Sequence, residues 1–383
     1  MKILHTSDWH IGRQFHNVSL LEDQAHVLDQ LVDIARQQAV DVVLIAGDVY
    51  DRSVPPANAV TLLDHVLNRL CKELALPVIM ISGNHDSPER LGFGAKQLGE
   101  AGLYIVGPLT NELAPIVLKD EHGDIAFYGI PYVEPATVRD RYDVEVNGHE
   151  EALGFLSEKI QADIEAKAYH RSVVISHCFL DGADDCESER PLSVGGADKV
   201  SPGVFAPFNY VALGHLHAPQ YKGGEHIRYS GSILKYSFSE EHHKKSVTVV
   251  DMDATGSCEI EKIPLLPIRD MRCIEGELES ILELGVSDPH ADDYLLVRLL
   301  DTHAILDPMG KLRAVYPNVL HLEKPGLMDA RGVVEPSSER LKKGELSMFT
   351  DFFSQVRGED LDDAQRGVIT EIIDAIHSGR EHN

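Results

Sequence analysis

Short apolar runs alternate with longer amphipathic stretches through the first half of the chain. Residues 2–6 have strand composition, and 42–46 and 78–82 are continuous apolar runs of strand length, the pattern of strands covered on both faces. Residues 20–38 place Leu28, Leu31, Val32 and Ala35 along one side of a helix, and 57–74 reads as a second helix. Further strands are predicted at 125–130, 173–176 and 210–213, with a helix over 151–168. Strand, helix, strand in succession predicts α/β layers with parallel strands at the centre.

The texture changes after about residue 268. Residues 275–285 and 294–300 read as a helix and a strand of a smaller α/β unit. The stretch 323–344 is rich in Gly, Pro, Ser and charge and reads as a linker. Beyond it, 348–356 and 363–376 have helical spacing, with Met348, Phe349, Phe352 and Phe353 on one face. The predicted division is 1–267, 268–335 and 336–383.

Composition narrows the class. A length of 383 residues, 43% apolar and 25% charged, excludes a mainly disordered chain, a collagen and a coiled-coil rod. No apolar run reaches the roughly 20 residues that a bilayer span needs. The first residues turn polar too soon for a signal peptide. Five scattered cysteines without a Cys-x-x-Cys pair argue against a disulfide framework or a zinc knuckle, so a cytoplasmic protein without membrane association is expected. The net charge of −27 is the stronger constraint. A polyanionic substrate must be held by local cations, by bound metal ions or by another subunit. The 20 histidines supply one kind of ligand for such ions.

Five polar motifs follow predicted strands, where open α/β sheets bind ligands: Asp8-Trp9-His10, Gly47-Asp48-Val49-Tyr50-Asp51, Gly83-Asn84-His85-Asp86, Ser176-His177 and Gly214-His215-Leu216-His217. Each alone is weak, since a single His after a strand is usually structural. Together they supply only carboxylate, amide and imidazole donors, which suit manganese, iron, magnesium or zinc. They are too many for one tetrahedral site and match two ions about 3.5–4 Å apart sharing a carboxylate.

In this order the motifs resemble the calcineurin-like metallophosphoesterase superfamily. Within it, His-Thr-Ser-Asp-Trp-His-Ile-Gly at 5–12, Ala-Gly-Asp-Val-Tyr-Asp at 46–51, Ser-Gly-Asn-His-Asp-Ser at 82–87, Leu-Gly-His-Leu-His at 213–217 and Tyr-Ser-Gly-Ser at 229–232 are similar to the nuclease subunits of DNA break-repair complexes. The likeness is strongest over 1–240. It implies a four-layer sandwich, two β-sheets flanked by helices, followed by a smaller α/β capping domain and C-terminal helices. It implies Asp8, His10 and His217 on a first metal, Asn84, His177 and His215 on a second, Asp48 bridging, and His85 facing the scissile phosphate. Asp51 and Asp86 are expected to steady the ligating imidazoles from behind. Mn2+ is the expected ion, with Mg2+, Fe2+ or Zn2+ as alternatives.

The resemblance also implies the substrate and the company. It points to exonuclease action at double-strand DNA ends and endonuclease action in hairpins, in repair, recombination and replication, with the protein nucleoid-associated when on DNA. It implies a homodimer of nuclease subunits and an SMC-like partner ATPase docking on the C-terminal helices. The alternatives are a phosphoesterase for a small ester such as a cyclic nucleotide, and a scaffold with a degenerate metal site. Trp9 is expected to pack under the metal loop and Cys178 to point away from the site. Residues 229–232 are either a turn or a phosphate contact, and the basic run 242–245 is expected to be a solvated loop.

Overall fold

A computed structural model describes residues 1–189, 199–303, 305–325, 346, 349–350, 353–354 and 360–380. The chain divides into two compact units, Met1–Ile268 and Arg269–Asn383.

Two six-stranded sheets build the first unit. In one, Lys2–Thr6, Val42–Ala46, Val78–Ile81 and Leu103–Val106 run parallel, and Ser246–Met252 and Cys258–Pro264 close the edge antiparallel. In the other, Ile227–Tyr229, Tyr210–Gly214, Ser172–His177 and Gly123–Ile130 run parallel, with Gln220–Tyr221 and Ile116–Asp120 as antiparallel edges. The inner faces meet: Ile3, Val42, Leu44, Ile79 and Ile81 share a core with Phe127, Val173, Ile175, Tyr210 and Ala212. Alternate residues point outward, which is why these strands read as unbroken apolar runs. Behind the second sheet, Ala126, Tyr128, Val174 and Val211 pack with Ala152, Leu153, Leu156 and Ile160 of the helix His149–Lys167. The helix Leu21–Gln37 buries Val27, Leu28, Leu31 and Val32. This is the predicted α/β sandwich, two sheets flanked by helices.

Several elements depart from the sequence prediction. The predicted helix 57–74 is α-helical only over Ala57–Asn68 and widens to a π turn at Arg69–Glu73, where the Leu74 N–H reaches back to the Arg69 carbonyl. The antiparallel pair Ser246–Met252 and Cys258–Pro264 escaped prediction; the outer strand alternates half-buried and exposed residues and depends on its neighbour for pairing.

In the second unit, Met271–Gly276, Tyr294–Leu299 and Val319–Glu323 form a parallel sheet. The expected helix 275–285 is corrected at its start. Glu275 and Gly276 pair with Arg298 and Leu299 as strand, and the helix begins at Leu278, whose N–H is held by the Asp301 carboxylate at 2.9 Å. Leu278, Ile281, Leu295, Val297 and Leu312 form this unit's core. The expected linker begins inside the strand Val319–Glu323, and residues 326–344 lie outside the described residues, as do Met348 and Phe352. The last helix is Asp363–Arg380.

Candidate metal centre

The five motifs lie just beyond the ends of five strands that face one another across the inner core. Lys2–Thr6, Val42–Ala46 and Val78–Ile81 deliver Asp8, His10, Asp48, Asn84 and His85 from one sheet. Ser172–His177 and Tyr210–Gly214 deliver His177, His215 and His217 from the other. The first two loops continue the parallel pairing of their strands, through Asp8 N–H to the Gly47 carbonyl, His10 N–H to Asp48 and Ile11 N–H to Val49, at 3.1, 2.9 and 3.0 Å. Asp8, His10 and Asp48 nevertheless sit in the left-handed region, with φ of 52°, 45° and 48°. Backbone strain of this kind persists only where surrounding structure over-determines it.

Close approach of the motif loops, between the sheets at Gly214 and within the first sheet at Gly83, needs glycine. A Cβ on Gly214 would stand 1.9 Å from the Ala46 carbonyl oxygen, and one on Gly83 would stand 2.1 Å from Asp48 Oδ1.

All eight predicted ligand and phosphate-facing residues converge. Ligand atoms of Asp8, His10 and His217 lie within 4.8 Å of one another, as do those of Asp8, Asp48 and His177. Asp48 Oδ2 lies between two imidazoles, 3.6 Å from His10 Nε2 and 3.5 Å from His177 Nε2, and its Oδ1 accepts the His85 N–H at 2.8 Å. Asn84 Oδ1 is 2.9 Å from His177 Nε2 and 3.2 Å from His215 Nδ1. The Asp8 carboxylate is aimed by the Ser7 hydroxyl at 2.5 Å and by the His215 N–H at 3.0 Å. Asp8, His10, Asp48, His177, His215 and His217 are all buried.

The donor set is incomplete without cations. His10 Nε2 and His217 Nε2 face each other at 3.2 Å, while buried His10 Nδ1 and Asn84 Nδ2 have no hydrogen-bond partner among the described residues. His177 Nδ1–H donates to the Ala46 carbonyl at 2.9 Å, which leaves the lone pair of a neutral ring on Nε2, facing the Asn84 and Asp48 oxygens. Electrostatics say the same. Burial opposes protonation of His177 and His217, yet Asp48 lifts the first to about 9, and Cys186 and Glu240 lift the second to about 10. Burial holds His10 and His215 well below the usual imidazole range and raises Asp8 to about 6. Asp48 stays well below the usual carboxylate range although burial works against it, because His177 and His10 lie against it. Positive charge is therefore drawn to the positions where divalent ions fit.

Two expectations about supporting residues are corrected. Asp86 faces no histidine; it accepts backbone N–H groups of Val49, Tyr50 and Gly83 at 3.0, 2.9 and 2.9 Å and so ties two metal loops together. Burial, then Asp48, pushes its pKa up to about 7. Asp51 meets His85 through its carbonyl, which accepts the ring Nδ1–H at 2.8 Å, while its carboxylate pairs with Arg13 at 3.1 Å and stands 3.9 Å from His10 Nδ1. Loop geometry decides the case of Asp86, whose short side chain reaches the neighbouring backbone before it reaches a ring.

Trp9 is buried, its Nε1–H on Thr6 Oγ1 at 2.9 Å, and Cys178 belongs to the core behind the second sheet. Ser230 Oγ lies 3.1 Å from Ser7 Oγ, behind Asp8, in a buried turn. The run 242–245 is not uniformly solvated: Lys245 is buried with its ammonium 2.5 Å from Glu240. Sequence reading missed Gln24, whose side-chain amide donates to the Trp9 and His10 carbonyls at 3.1 and 2.7 Å and whose Oε1 takes the Gly12 N–H at 3.0 Å. Its signal was a polar residue on the buried stripe of a helix, in step with Val27, Leu28 and Leu31.

The profile of the calcineurin-like phosphoesterases matches residues 1–219. This chain belongs to that family. Calcineurin-like phosphoesterases bind divalent metal ions, and the residues above are of the type and spacing to hold them. A second profile, the type 5 capsule protein repressor C-terminal domain, matches residues 267–357, and the two in this order match an SbcD nuclease subunit. Among solved structures, TT1561 of Thermus thermophilus is 13% identical, covering 69% of this chain and 99% of its own, with a TM-score of 0.41. A dimetal phosphatase from Danio rerio is 12% identical over 69% and 99%, with a TM-score of 0.40. GAP50, the anchor in the inner membrane complex of Plasmodium, is 12% identical over 88% and 98%, with a TM-score of 0.39. Among the described residues, no helix is long and apolar enough to cross a membrane.

Proposed function

We propose that this calcineurin-like phosphoesterase is a dimetal DNA nuclease, cutting phosphodiester bonds at double-strand ends and in hairpins together with an SbcC-type ATPase. The observation that carries the hydrolytic part is the position of Asp48 Oδ2 between His10 and His177, with Asp8, Asn84, His215 and His217 completing two donor groups around it. These residues would hold divalent ions, which would supply Lewis-acid polarisation of a phosphate ester and an activated water for in-line attack. We assign Mn2+ to that role.

The protein's own part is orientation and proton transfer. Asp48 is locked by the His85 N–H, and His85 by the Asp51 carbonyl. With its Nδ1–H given to Asp51, the His85 ring presents Nε2 as the atom that holds or releases a proton to the leaving oxygen. Arg13, stacked over Tyr236 and paired with Asp51, is a cation beside this loop in a strongly acidic chain.

The C-terminal profile supports the choice of DNA and of partner. We assign a capping role to 268–335 and partner docking to 336–383. An apolar groove of about 330 Å3 lined by Phe349, Phe353, Leu361, Val368 and Ile369 fits the docking role. The test is incubation of the full chain with Mn2+ and either linear duplex and hairpin DNA or a cyclic nucleotide. DNA degradation abolished by chelation is the expected result. Turnover of the small ester alone removes the nuclease reading, and no turnover of either removes the hydrolytic one.

A further inference from the structure

His217 is gripped on three sides by residues that no motif marks. Its Nδ1 lies 2.8 Å from Ser188 Oγ and 3.4 Å from Glu240 Oε1. Its backbone N–H donates to Glu189 Oε1 at 2.6 Å, and its carbonyl accepts from Lys245 Nζ at 2.9 Å. Glu240 is completely buried. Its Oε1 accepts the Ser188 hydroxyl at 2.5 Å and the Tyr236 N–H at 3.0 Å, and its Oε2 lies 2.5 Å from Lys245 Nζ. The hydrogen bonds run in one direction: Nδ1–H of His217 to Ser188 Oγ, then the Ser188 O–H to the carboxylate. In the neutral ring that direction leaves the lone pair of His217 on Nε2, which faces His10 Nε2 at 3.2 Å in the group that also holds Asp8.

Among the described residues, His177 and His10 have no such hydrogen-bonded backing. His177 rests on the neutral Ala46 carbonyl, and His10 Nδ1 has no hydrogen-bond partner, the Asp51 carboxylate standing 3.9 Å away. A fully buried ion pair is a poor way to gain stability, because desolvation offsets the attraction and apolar residues of similar volume do as well. Geometry is what the Glu240–Lys245 pair provides. We propose that Glu240, held in place by Lys245, acts with Ser188 as a positioning unit that fixes the tautomer and ring plane of His217 and thereby sets the affinity of one of the two metal positions. The inference rests on the reading of His217 as a metal ligand.

Mn2+ titration of the full-length protein, followed by the electron paramagnetic resonance of free Mn2+, tests it. Two ions are expected to bind the parent. Glu240→Gln should weaken one binding step roughly 10- to 100-fold, the usual cost of losing a group behind a metal-bound histidine, and leave the other within about twofold. The double variant Glu240→Gln/Lys245→Met removes both buried charges. It should recover the parent's melting temperature without metal while the weakened step stays weak. Ser188→Ala, which leaves the charge pair in place, should weaken the same step by a smaller factor. Parental affinity at both steps in the double variant overturns the proposal, because Glu240 then serves only to neutralise Lys245. Equal weakening of both steps, tracking the fall in melting temperature, also overturns it. A parent that binds no Mn2+ overturns the metal centre itself, whereas parental binding unchanged in every variant overturns only this inference.

Discussion

The two sheets contribute unlike walls to one pocket. The first supplies every candidate oxygen donor, Asp8, Asp48 and Asn84, together with His10, on loops whose backbone is bonded from one to the next. The second supplies imidazoles alone, His177 at the end of its strand and His215 and His217 just past theirs. On the first wall, backbone conformation aims the donor: Asp8, His10 and Asp48 are left-handed, and Asp86 and Gln24 pin the amides and carbonyls around them. On the second, His215 also has a positive φ, 104°, and groups behind the ring aim the other two, the Ala46 carbonyl for His177 and Ser188 with Glu240 for His217. Short carboxylates have little reach, so the backbone must place them. Longer imidazoles can in addition be held at the far nitrogen, as His177 and His217 are.

The largest test of that contrast is Asp48→Asn on the first wall. Loss of the shared carboxylate should lower DNA hydrolysis in Mn2+ roughly 10⁴-fold, as several kcal/mol of transition-state stabilisation disappear. An equal loss from Asn84→Ala would break the claim that Asp48 is the shared group. His85→Ala should cost roughly 10²- to 10³-fold in turnover while binding of two Mn2+ ions is retained, since its role is proton transfer. Loss of an ion in that variant would make His85 a ligand.

Stability comes next. Gly83→Ala thrusts a methyl into the neighbouring Asp48 loop and Gly214→Ala into the Ala46 carbonyl of the other sheet, and each should cost about 2–3 kcal/mol in thermal or urea unfolding. Gly83→Ala should also lower activity, because the methyl displaces Asp48. Without metal, His177 holds its proton up to about pH 9 and His217 up to about 10, so ion binding must expel those protons. Mn2+ affinity should therefore fall as pH is lowered from 9 to 7, roughly tenfold per unit for each proton released. Calorimetry in buffers of different ionisation enthalpy measures the release.

The smallest effect concerns a tie between the walls. His5, in the first sheet, is bonded to the Tyr210 hydroxyl at 2.9 Å and the Leu213 carbonyl at 3.1 Å in the second. Burial, partly offset by the bond to Leu213, lowers its pKa from 6.5 to about 3. The folded ring stays neutral where the unfolded one takes up a proton. The stability it contributes is complete above pH 6.5 and is lost as pH falls toward 3. Between pH 7.5 and 5.5 the loss should be about 1 kcal/mol, absent in His5→Gln when the two unfolding curves are compared.

The buried strand Val42–Ala46 was legible because both its faces are covered, so every position is apolar and the run is unbroken. The polar motifs were legible because each follows a run of strand composition. Cys258–Pro264 and Met271–Gly276 were not, since half-buried strands borrow their pairing from neighbours distant in sequence. Asp86 was found as a site residue but with the wrong partner, Lys245 was read as part of a solvated loop, and Glu240 was missed.

Local chemistry along the chain thus determined which donors this protein carries, in what order and after which strands, because apolar periodicity and residue type are properties of neighbours in sequence. Tertiary structure alone decided that Asp48 Oδ2 lies between His10 and His177 and that a lysine and a glutamate are buried behind His217. Those relations join residues dozens to hundreds of positions apart. Only the packing of the two sheets, with glycine where their loops touch, brings them within bonding distance.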